Sequence, residues 1–191
     1  MSGCARCAWA EGDPVMAAYH DTEWGVPLRD SRALWALLVL ESFQAGLSWR
    51  TILHRREGFR AAFAGFDPEA VAAYDAARVE ALVQDAGIIR SRAKIEATIG
   101  NARAYLQMMA AGEDFAAFAW GFVGGVPRLG DGTHVAASSA ESEALSKALK
   151  RRGFRFVGAV TVHAWMQAAG LFNDHALGCP RRAALAPPGA A

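Results

Sequence analysis

The segment spanning residues 33–40 constrains the fold more than any other part of the sequence, because it is apolar on every face of a helix. Such a helix has no face suited to water, so it is buried by its neighbours. The run is also far too short to cross a bilayer, which takes about 20 apolar residues. We therefore predict a buried helix here, inside a water-soluble domain.

Capping residues and glycines divide the rest of the chain into further helices. Ser31 and Ser48 are predicted N-caps, Ser138 with Glu141 fits a capping box, and residues 124–138 form the main interior loop. The predicted helices span residues 32–45, 48–57, 67–85 (as one or two), 91–111, 114–122, 138–152 and 159–169. Residues 154–157 form at most a short extended piece, and no stretch shows sustained period-two alternation, so we predict an all-α fold.

Composition excludes several classes of protein. Hydrophobic residues make up 53% of the chain and charged residues 20%, which excludes a disordered chain. The net charge of +1, from 20 basic and 19 acidic residues, excludes nucleic-acid binding by bulk charge alone but allows a local basic face. The N-terminus lacks the pattern of a signal peptide, so a cytoplasmic protein is expected.

The cysteines and histidines indicate a metal site. An odd number of cysteines, Cys4, Cys7 and Cys179, argues against a disulfide framework. His175 precedes Cys179 by four residues, and Cys7 and His20 lie near the start of the chain. Two thiolates and two imidazoles make a tetrahedral zinc set that would tie the two termini together. A set of Cys4, Cys7, His175 and Cys179 is an alternative, as are free thiols with no metal.

Glu41 follows the apolar run directly, and an unpaired buried carboxylate is costly enough to indicate function. Tyr19 and Trp24 precede this helix and Trp49 follows it. Aromatic rings around a carboxylate suit a flat cationic ligand, which stacks on the rings while the carboxylate balances its charge. The alternatives are ordinary core packing for the rings and an arginine partner or an exposed helix end for Glu41.

Residues 82–95 are typical of a helix, a tight glycine turn and a second helix. Gly87 is predicted to supply a positive φ, and the free N–H groups at the start of the second helix suit an anion. Arg90, Arg92 and Lys94 add positive charge there. The pattern favours a helix-hairpin-helix element that binds the DNA backbone, although a plain helical hairpin has the same features. The basic residues between 147 and 155 are interpreted as a solvated face.

Several segments in order resemble the bacterial 3-methyladenine-DNA glycosylase I family. They are residues 18–27 (AYHDTEWGVP), 44–49 (QAGLSW), 82–90, 100–106, 144–150 and 170–179. The similarity covers nearly the whole chain, roughly Cys7 to Cys179.

The resemblance implies a helix-hairpin-helix DNA repair fold in one domain, residues 1–179. The hairpin then spans about 78–111, and residues 180–191 are expected to be a disordered tail. It also implies one structural zinc ion, and it selects Cys7 over Cys4, because the family's first ligand precedes a small residue and a Trp. The implied zinc ligands are Cys7, His20, His175 and Cys179. Glu41 matches the family's pocket acid, and Tyr19, Trp24 and Trp49 match its pocket aromatics.

The implied activity is hydrolysis of the N-glycosidic bond of 3-methyladenine, extending to 3-methylguanine, in alkylated double-stranded DNA. A monomeric enzyme would flip the base out, with Leu47 as a wedge, and leave an abasic site. No strand cleavage is expected, because Ser91 stands where related bifunctional enzymes use a lysine, and Asp114 is interpreted as a helix cap.

Two alternatives and three departures accompany this interpretation. A non-catalytic, zinc-containing helix-hairpin-helix module would need no acid in an aromatic pocket, and a small-molecule hydrolase or binding protein would need no hairpin.

Met16 stands where the family often has a pocket Tyr, and Ser42 and Phe43 beside Glu41 also depart from the common pattern. The pocket shape is therefore expected to differ.

Overall fold

The computed structural model describes residues 6–187. The helices are α1 Pro14–Thr22, α2 Ser31–Gln44, α3 Trp49–Leu53, α4 Arg56–Ala62, α5 Pro68–Ala72, α6 Ala76–Gln84, α7 Arg92–Ala110, α8 Phe115–Gly121, α9 Ala140–Arg151, α10 Ala159–Ala168 and α11 Pro180–Ala184. Short 3₁₀ turns lie at Ala8–Ala10 and Ala64–Phe66. The predicted all-α class is confirmed. No helix within residues 6–187 is long and apolar enough to span a membrane.

Helix α2 is the buried helix that the apolar run predicts, and it contacts α3, α7, α8 and α10. The indole Nε1 of Trp165 in α10 donates a hydrogen bond to the carbonyl of Leu34 at 3.0 Å, which ties the two helices together. The N-cap is Asp30, not Ser31: the Asp30 carboxylate accepts from the Ala33 N–H at 2.8 Å. Ser31 instead donates to Asp114, the N-cap of α8, and so joins the two helix starts.

The predicted helix over residues 48–57 is wrong in its extent, because α3 ends at Leu53 and α4 then continues through Gly58. Gly58 is needed for a close approach rather than for a helix stop: a Cβ there would lie 2.4 Å from the Gly87 carbonyl oxygen. Gly87 itself is not among the glycines with positive φ, which corrects the prediction for that residue. The turn between α6 and α7 is therefore seated on α4.

The loop between α8 and α9 contains a two-residue strand, β1 Arg128–Leu129, which pairs in parallel with β2 Phe172–Asn173. This pairing lays the loop along the segment that leads to His175. The capping box at the start of α9 uses Ser139 and Ser142 rather than Ser138 and Glu141. The predicted extended piece at residues 154–157 does not form a strand.

The segment after Cys179 differs from the predicted disordered tail as far as residue 187. Three hydrogen bonds of Arg182 hold helix α11. Asn173 Nδ2 donates to the Arg182 carbonyl at 2.9 Å, and the Arg182 guanidinium donates to the carbonyls of His175, at 2.9 Å, and Gly130. These bonds pack the segment against the predicted metal ligands. Residues 188–191 of the predicted tail lie outside the described residues.

Candidate active site and metal centre

The four predicted ligands Cys7, His20, His175 and Cys179 are buried together, with their ligand atoms all within 4.8 Å of one another. Cys7 precedes the first 3₁₀ turn, His20 lies in α1, His175 follows β2, and Cys179 is the N-cap of α11. The cluster joins the N-terminal and C-terminal segments, as predicted. Cys4, the ligand in the alternative set, lies outside the described residues.

The spacing of these atoms fits a tetrahedral zinc ion. Zn–S bonds of about 2.3 Å and Zn–N bonds of about 2.0–2.1 Å place neighbouring ligand atoms about 3.3–3.8 Å apart. His175 Nδ1 lies 3.2 Å from His20 Nε2 and 3.6 Å from the Sγ atoms of both Cys7 and Cys179. Cys179 Sγ lies 3.5 Å from His20 Nε2. The donor set and its spacing therefore suit this metal.

Hydrogen bonds orient both histidines toward the centre of the cluster. His20 Nδ1 lies 2.9 Å from the Asp21 carboxylate, which also accepts from Arg6. The bond from Arg6, followed by that from His20, lowers the pKa of Asp21 to about 2. His175 Nε2 lies 3.2 Å from the Trp24 carbonyl, which can only accept. The protons thus belong on the outer nitrogens, which leaves His20 Nε2 and His175 Nδ1 free to bind a metal.

A pocket of about 360 Å³ lies beside the metal cluster. Its lining residues are Trp9, Tyr19, Trp24, Glu41, Gln44, Trp49, Val135, Ala164 and Gln167. The structure therefore brings all four predicted pocket residues together and adds Trp9, Gln44, Val135, Ala164 and Gln167. The sequence could have indicated Gln167 by the same signal as Glu41, a polar residue in a mainly apolar helix, because Gln167 lies in the mainly apolar helix α10. Val135 belongs to a loop for which the sequence offers no such signal.

Aromatic contacts connect the pocket wall to the metal cluster. The rings of Tyr19 and Trp49 lie 5.3 Å apart and those of Trp9 and Trp24 lie 5.0 Å apart. The Trp24 ring also packs edge-on against His175 at 4.6 Å. Because Trp24 contacts a ligand directly, ordering of the metal cluster also orders this wall of the pocket.

Glu41 is 3% exposed, and no described residue forms a hydrogen bond with its carboxyl group. Burial raises the pKa of Glu41 to about 8, because the apolar surroundings disfavour the charged form. Without a ligand the group is mostly protonated at neutral pH. A cation in the pocket would favour the carboxylate, so the site is suited to a positively charged ligand.

Met16, Ser42 and Phe43, the three departures from the family pattern, are not among the described residues that line the pocket. Met16 is buried with Cys7, Tyr19 and Trp24 but is not among the described residues that line the pocket. Phe43 packs in the core against Phe59 at 4.7 Å. Neither side chain is therefore part of the wall that a ligand would contact.

A larger cleft of about 610 Å³ lies on the other side of Tyr19. The arginines along it are paired with carboxylates: Arg56 with Glu23 at 2.6 Å, and Arg32 with Asp67 at 3.4 Å and with Glu69. Its charges are thus already balanced, whereas the carboxyl group of Glu41 in the smaller pocket has no partner among residues 6–187. The smaller pocket is therefore the candidate active site.

The predicted hairpin is present as α6, the turn at residues 85–91, and α7. Arg90 is exposed and forms no ion pair with another described residue, whereas Arg92 pairs with Glu80 at 2.7 Å. Lys94 has a structural contact instead of a free charge: its Nζ donates to the carbonyls of Phe43 at 2.8 Å and Ala45 at 2.6 Å, at the end of α2. The three basic residues are therefore not equivalent.

Leu47 lies in the short turn between α2 and α3, 41% exposed, beside Gly46 with φ of 80°. Its N–H donates to the Gln44 carbonyl at 2.7 Å, and Gln44 lines the pocket. An exposed apolar side chain next to the pocket is where a wedge would be needed. This role remains a prediction.

Residues 9–182 match the family model described as methyladenine glycosylase. The chain is 55% identical over 177 residues to DNA-3-methyladenine glycosylase 1 of Escherichia coli (strain K12), covering 91% of this chain and 95% of that protein. It is 46% identical to DNA-3-methyladenine glycosylase of Haemophilus influenzae (strain ATCC 51907 / DSM 11121 / KW20 / Rd), covering 92% and 96% of the two chains. It also superposes with a TM-score of 0.89, at 41% identity and 93% and 96% coverage, on 3-methyladenine DNA glycosylase I from Staphylococcus aureus, a structure concerned with 3-methyladenine recognition.

Proposed function

Because this chain belongs to the methyladenine glycosylase family, we propose that it removes 3-methyladenine from alkylated double-stranded DNA, with Glu41 as the acid of the base pocket. The reaction is the first step of base-excision repair. One observation carries the proposed role of Glu41: this residue is buried without a hydrogen-bond partner in an aromatic pocket of about 360 Å³. That arrangement is costly unless a cation occupies the pocket.

The lesion itself explains why few catalytic groups are needed. A base methylated at N3 is cationic and leaves as a neutral molecule, so its bond to the sugar is already weak. The enzyme flips the nucleotide out of the duplex, and Tyr19 and Trp49 stack on the cationic base. Ionised Glu41 accepts hydrogen bonds from the edge of the base and stabilises its charge. 3-Methylguanine carries the same charge and is an expected second substrate.

The bond changes are those of a simple hydrolysis. The C1′–N9 bond breaks and its electron pair goes to the base, which becomes neutral. The oxygen of a water molecule forms the new bond to C1′, and the proton of that water is released. The products are the free base and an abasic sugar, and the enzyme contributes by binding the reacting nucleotide more tightly as its charge distribution changes.

The metal of the Cys7, His20, His175 and Cys179 cluster is proposed to be one Zn²⁺ ion. When bound, zinc cross-links the two ends of the chain, a structural role typical of sites with four protein ligands. A reducing cytoplasm keeps the two thiols available as ligands, and we place the enzyme there. The pocket and the metal cluster are both built from one chain, which favours a monomer.

The hairpin is proposed to bind the DNA backbone, and substitutions of Arg90 and Lys94 test this proposal. We expect Arg90→Ala to weaken binding to undamaged duplex and to reduce the slope of log affinity against log salt by about 1. Lys94→Met should instead lower the melting temperature, because the carbonyls at the end of α2 lose their donor. Fluorescence anisotropy at several salt concentrations and thermal melting measure the two effects.

Arg151→Ala, on the solvated face of α9, is the matched control and should leave the slope unchanged. If Lys94→Met reduced the slope as much as Arg90→Ala does, Lys94 would have to be assigned to the DNA contact after all.

Asp114→Asn tests the absence of a lyase step. Asp114 caps α8, accepting from the Ala117 N–H at 2.7 Å and from Ser31 Oγ at 2.7 Å. These bonds, the one from Ala117 first, lower the pKa of Asp114. We expect the variant to lose less than about 1 kcal/mol of stability, because Asn caps a helix about as well as Asp. It should keep its rate of base release within about threefold, with no strand breaks. Near-complete loss of base release would place Asp114 in the chemistry.

A further inference from the structure

Gln167 contributes a polar group to a pocket that is otherwise aromatic and apolar apart from Glu41, Gln44 and the Tyr19 hydroxyl. It lies in α10, is 5% exposed, and lines the pocket. Its Nε2 donates to the carboxylate of Asp174 at 2.6 Å and lies 3.4 Å from the carbonyl of Ala136. The side chain is therefore held through its NH₂ group.

The orientation of this carboxamide follows from its partners. A carboxylate and a backbone carbonyl only accept hydrogen bonds, so the NH₂ group must face them and Oε1 must face away. No described residue donates to Oε1. Among the described residues, the fully buried side-chain nitrogen and oxygen atoms that lack a hydrogen-bond partner belong to Trp35, Ser42, Trp49, His163 and Arg181. Oε1 of Gln167 is not one of these atoms, although it has no partner within residues 6–187. Oε1 of Gln167 therefore keeps an accessible surface, and Gln167 is one of the residues that line the pocket.

The group that holds Gln167 cannot easily move. Asp174 is buried, and Gly130 packs so tightly against it that a Cβ at residue 130 would lie 1.7 Å from Asp174 Oδ1. Ala136, the other partner, belongs to the same loop as the pocket residue Val135. Because the NH₂ group of Gln167 is held by two partners, its Oε1 is fixed in place before a ligand binds. A mobile acceptor would lose conformational entropy on binding.

We infer that Gln167 determines specificity: its Oε1 accepts a hydrogen bond from an N–H group on the edge of the flipped base. This inference rests on the proposed function of the pocket. Adenine carries an amino donor at position 6, where guanine carries a carbonyl acceptor. A fixed acceptor in the pocket therefore favours adenine and disfavours guanine. Both N3-methylated bases carry the same positive charge. Glu41 therefore balances the charge of the lesion, and Gln167 adds a neutral acceptor that distinguishes the two bases.

The test is the ratio of 3-methyladenine to 3-methylguanine released from the same methylated duplex in single-turnover assays. Gln167→Met keeps the length of the side chain but removes the acceptor. We expect 3-methyladenine release to fall about tenfold or more and 3-methylguanine release to fall much less, so that the ratio drops about tenfold. Asp174→Ala is the second variant, because it keeps Gln167 but removes the acceptor that holds its carboxamide, and it should also lower the ratio.

Two controls separate specificity from stability. Ser146→Ala removes another buried hydrogen bond, from Ser146 Oγ to the Val157 carbonyl at 2.6 Å, and should lower the melting temperature without changing the ratio. Gln107→Met makes the same chemical change at an exposed position of α7. An unchanged ratio in both Gln167→Met and Asp174→Ala would overturn the inference. No 3-methyladenine release by the unaltered protein would overturn the proposed function instead.

Discussion

Replacing Glu41 with Gln should lower the single-turnover rate of 3-methyladenine release by about 100-fold or more. Gln has the shape of Glu but cannot supply the negative charge that balances the cationic base. The assay incubates the protein with methylated duplex DNA and identifies the free bases by chromatography. Glu143→Gln makes the same chemical change at an exposed position in the first turn of α9 and should leave the rate unchanged. Equal rates for Glu41→Gln and the unaltered protein would show that Glu41 has no part in the reaction.

The same variant should be more stable than the unaltered protein at high pH. Burial raises the pKa of Glu41 from 4.5 to about 8, so between these values the unfolded chain loses a proton that the folded chain keeps. The stability of the unaltered protein therefore carries a penalty that is absent below pH 4.5 and grows until about pH 8. Gln carries no such penalty. Melting temperatures of both proteins at pH 5 and pH 8 should diverge as the pH rises, and a less stable variant at pH 8 would contradict the buried, unpartnered state of Glu41.

The dependence of kcat/KM on pH follows from the same pKa. If the ionised form binds the cationic base, kcat/KM should rise as the pH increases toward about 8, where the carboxylate forms in the free enzyme. The rise should be absent in the residual activity of Glu41→Gln. A profile that falls over this range would mean that the protonated form of Glu41 is the active one.

Loss of the metal should have the largest effect on stability. We expect the purified protein to carry about one zinc ion per chain, and Cys7→Ser to lose it and to melt more than about 10 °C lower. The reason is that the cluster holds the N-terminal segment on α11 and the His175 segment, with Cys7 Sγ 3.6 Å from His175 Nδ1. Metal analysis and thermal melting measure the two effects, and treatment of the unaltered protein with a chelator should reproduce them.

Cys4→Ser is the matched control, because Cys4 is the ligand in the alternative set that the sequence allows. It should keep both the metal and the melting temperature. The reverse result, with metal lost from Cys4→Ser and kept in Cys7→Ser, would select the alternative set. Loss of metal should also weaken base release at temperatures where the protein stays folded, since Trp24 packs against His175 at 4.6 Å.

Several features could be predicted because the sequence shows them directly. The apolar run before Glu41 predicts a buried helix, since no face of it suits water, and Glu41 is buried with that helix. The zinc ligands could be narrowed to a few cysteines and histidines by donor chemistry, while the choice of Cys7 over Cys4 depended on the family resemblance. The pocket aromatics also came from that resemblance, because a tryptophan in a core and one in a pocket look alike in a sequence.

The sequence by itself determined the helical class and indicated Glu41 and a small set of metal donors as candidates, because these depend on residue type and local spacing. Only the tertiary structure decided the roles that depend on contacts between distant segments. Lys94 caps α2, 51 residues away at Phe43, instead of offering a free charge to DNA. The absence of a side chain at Gly58 lets the backbone of Gly87 pack closely against it. The carboxamide of Gln167 is oriented in part by the carbonyl of Ala136, 31 residues away. These roles depend on which backbone groups still lack a hydrogen-bond partner after the helices have packed. A local sequence pattern does not show which groups those are.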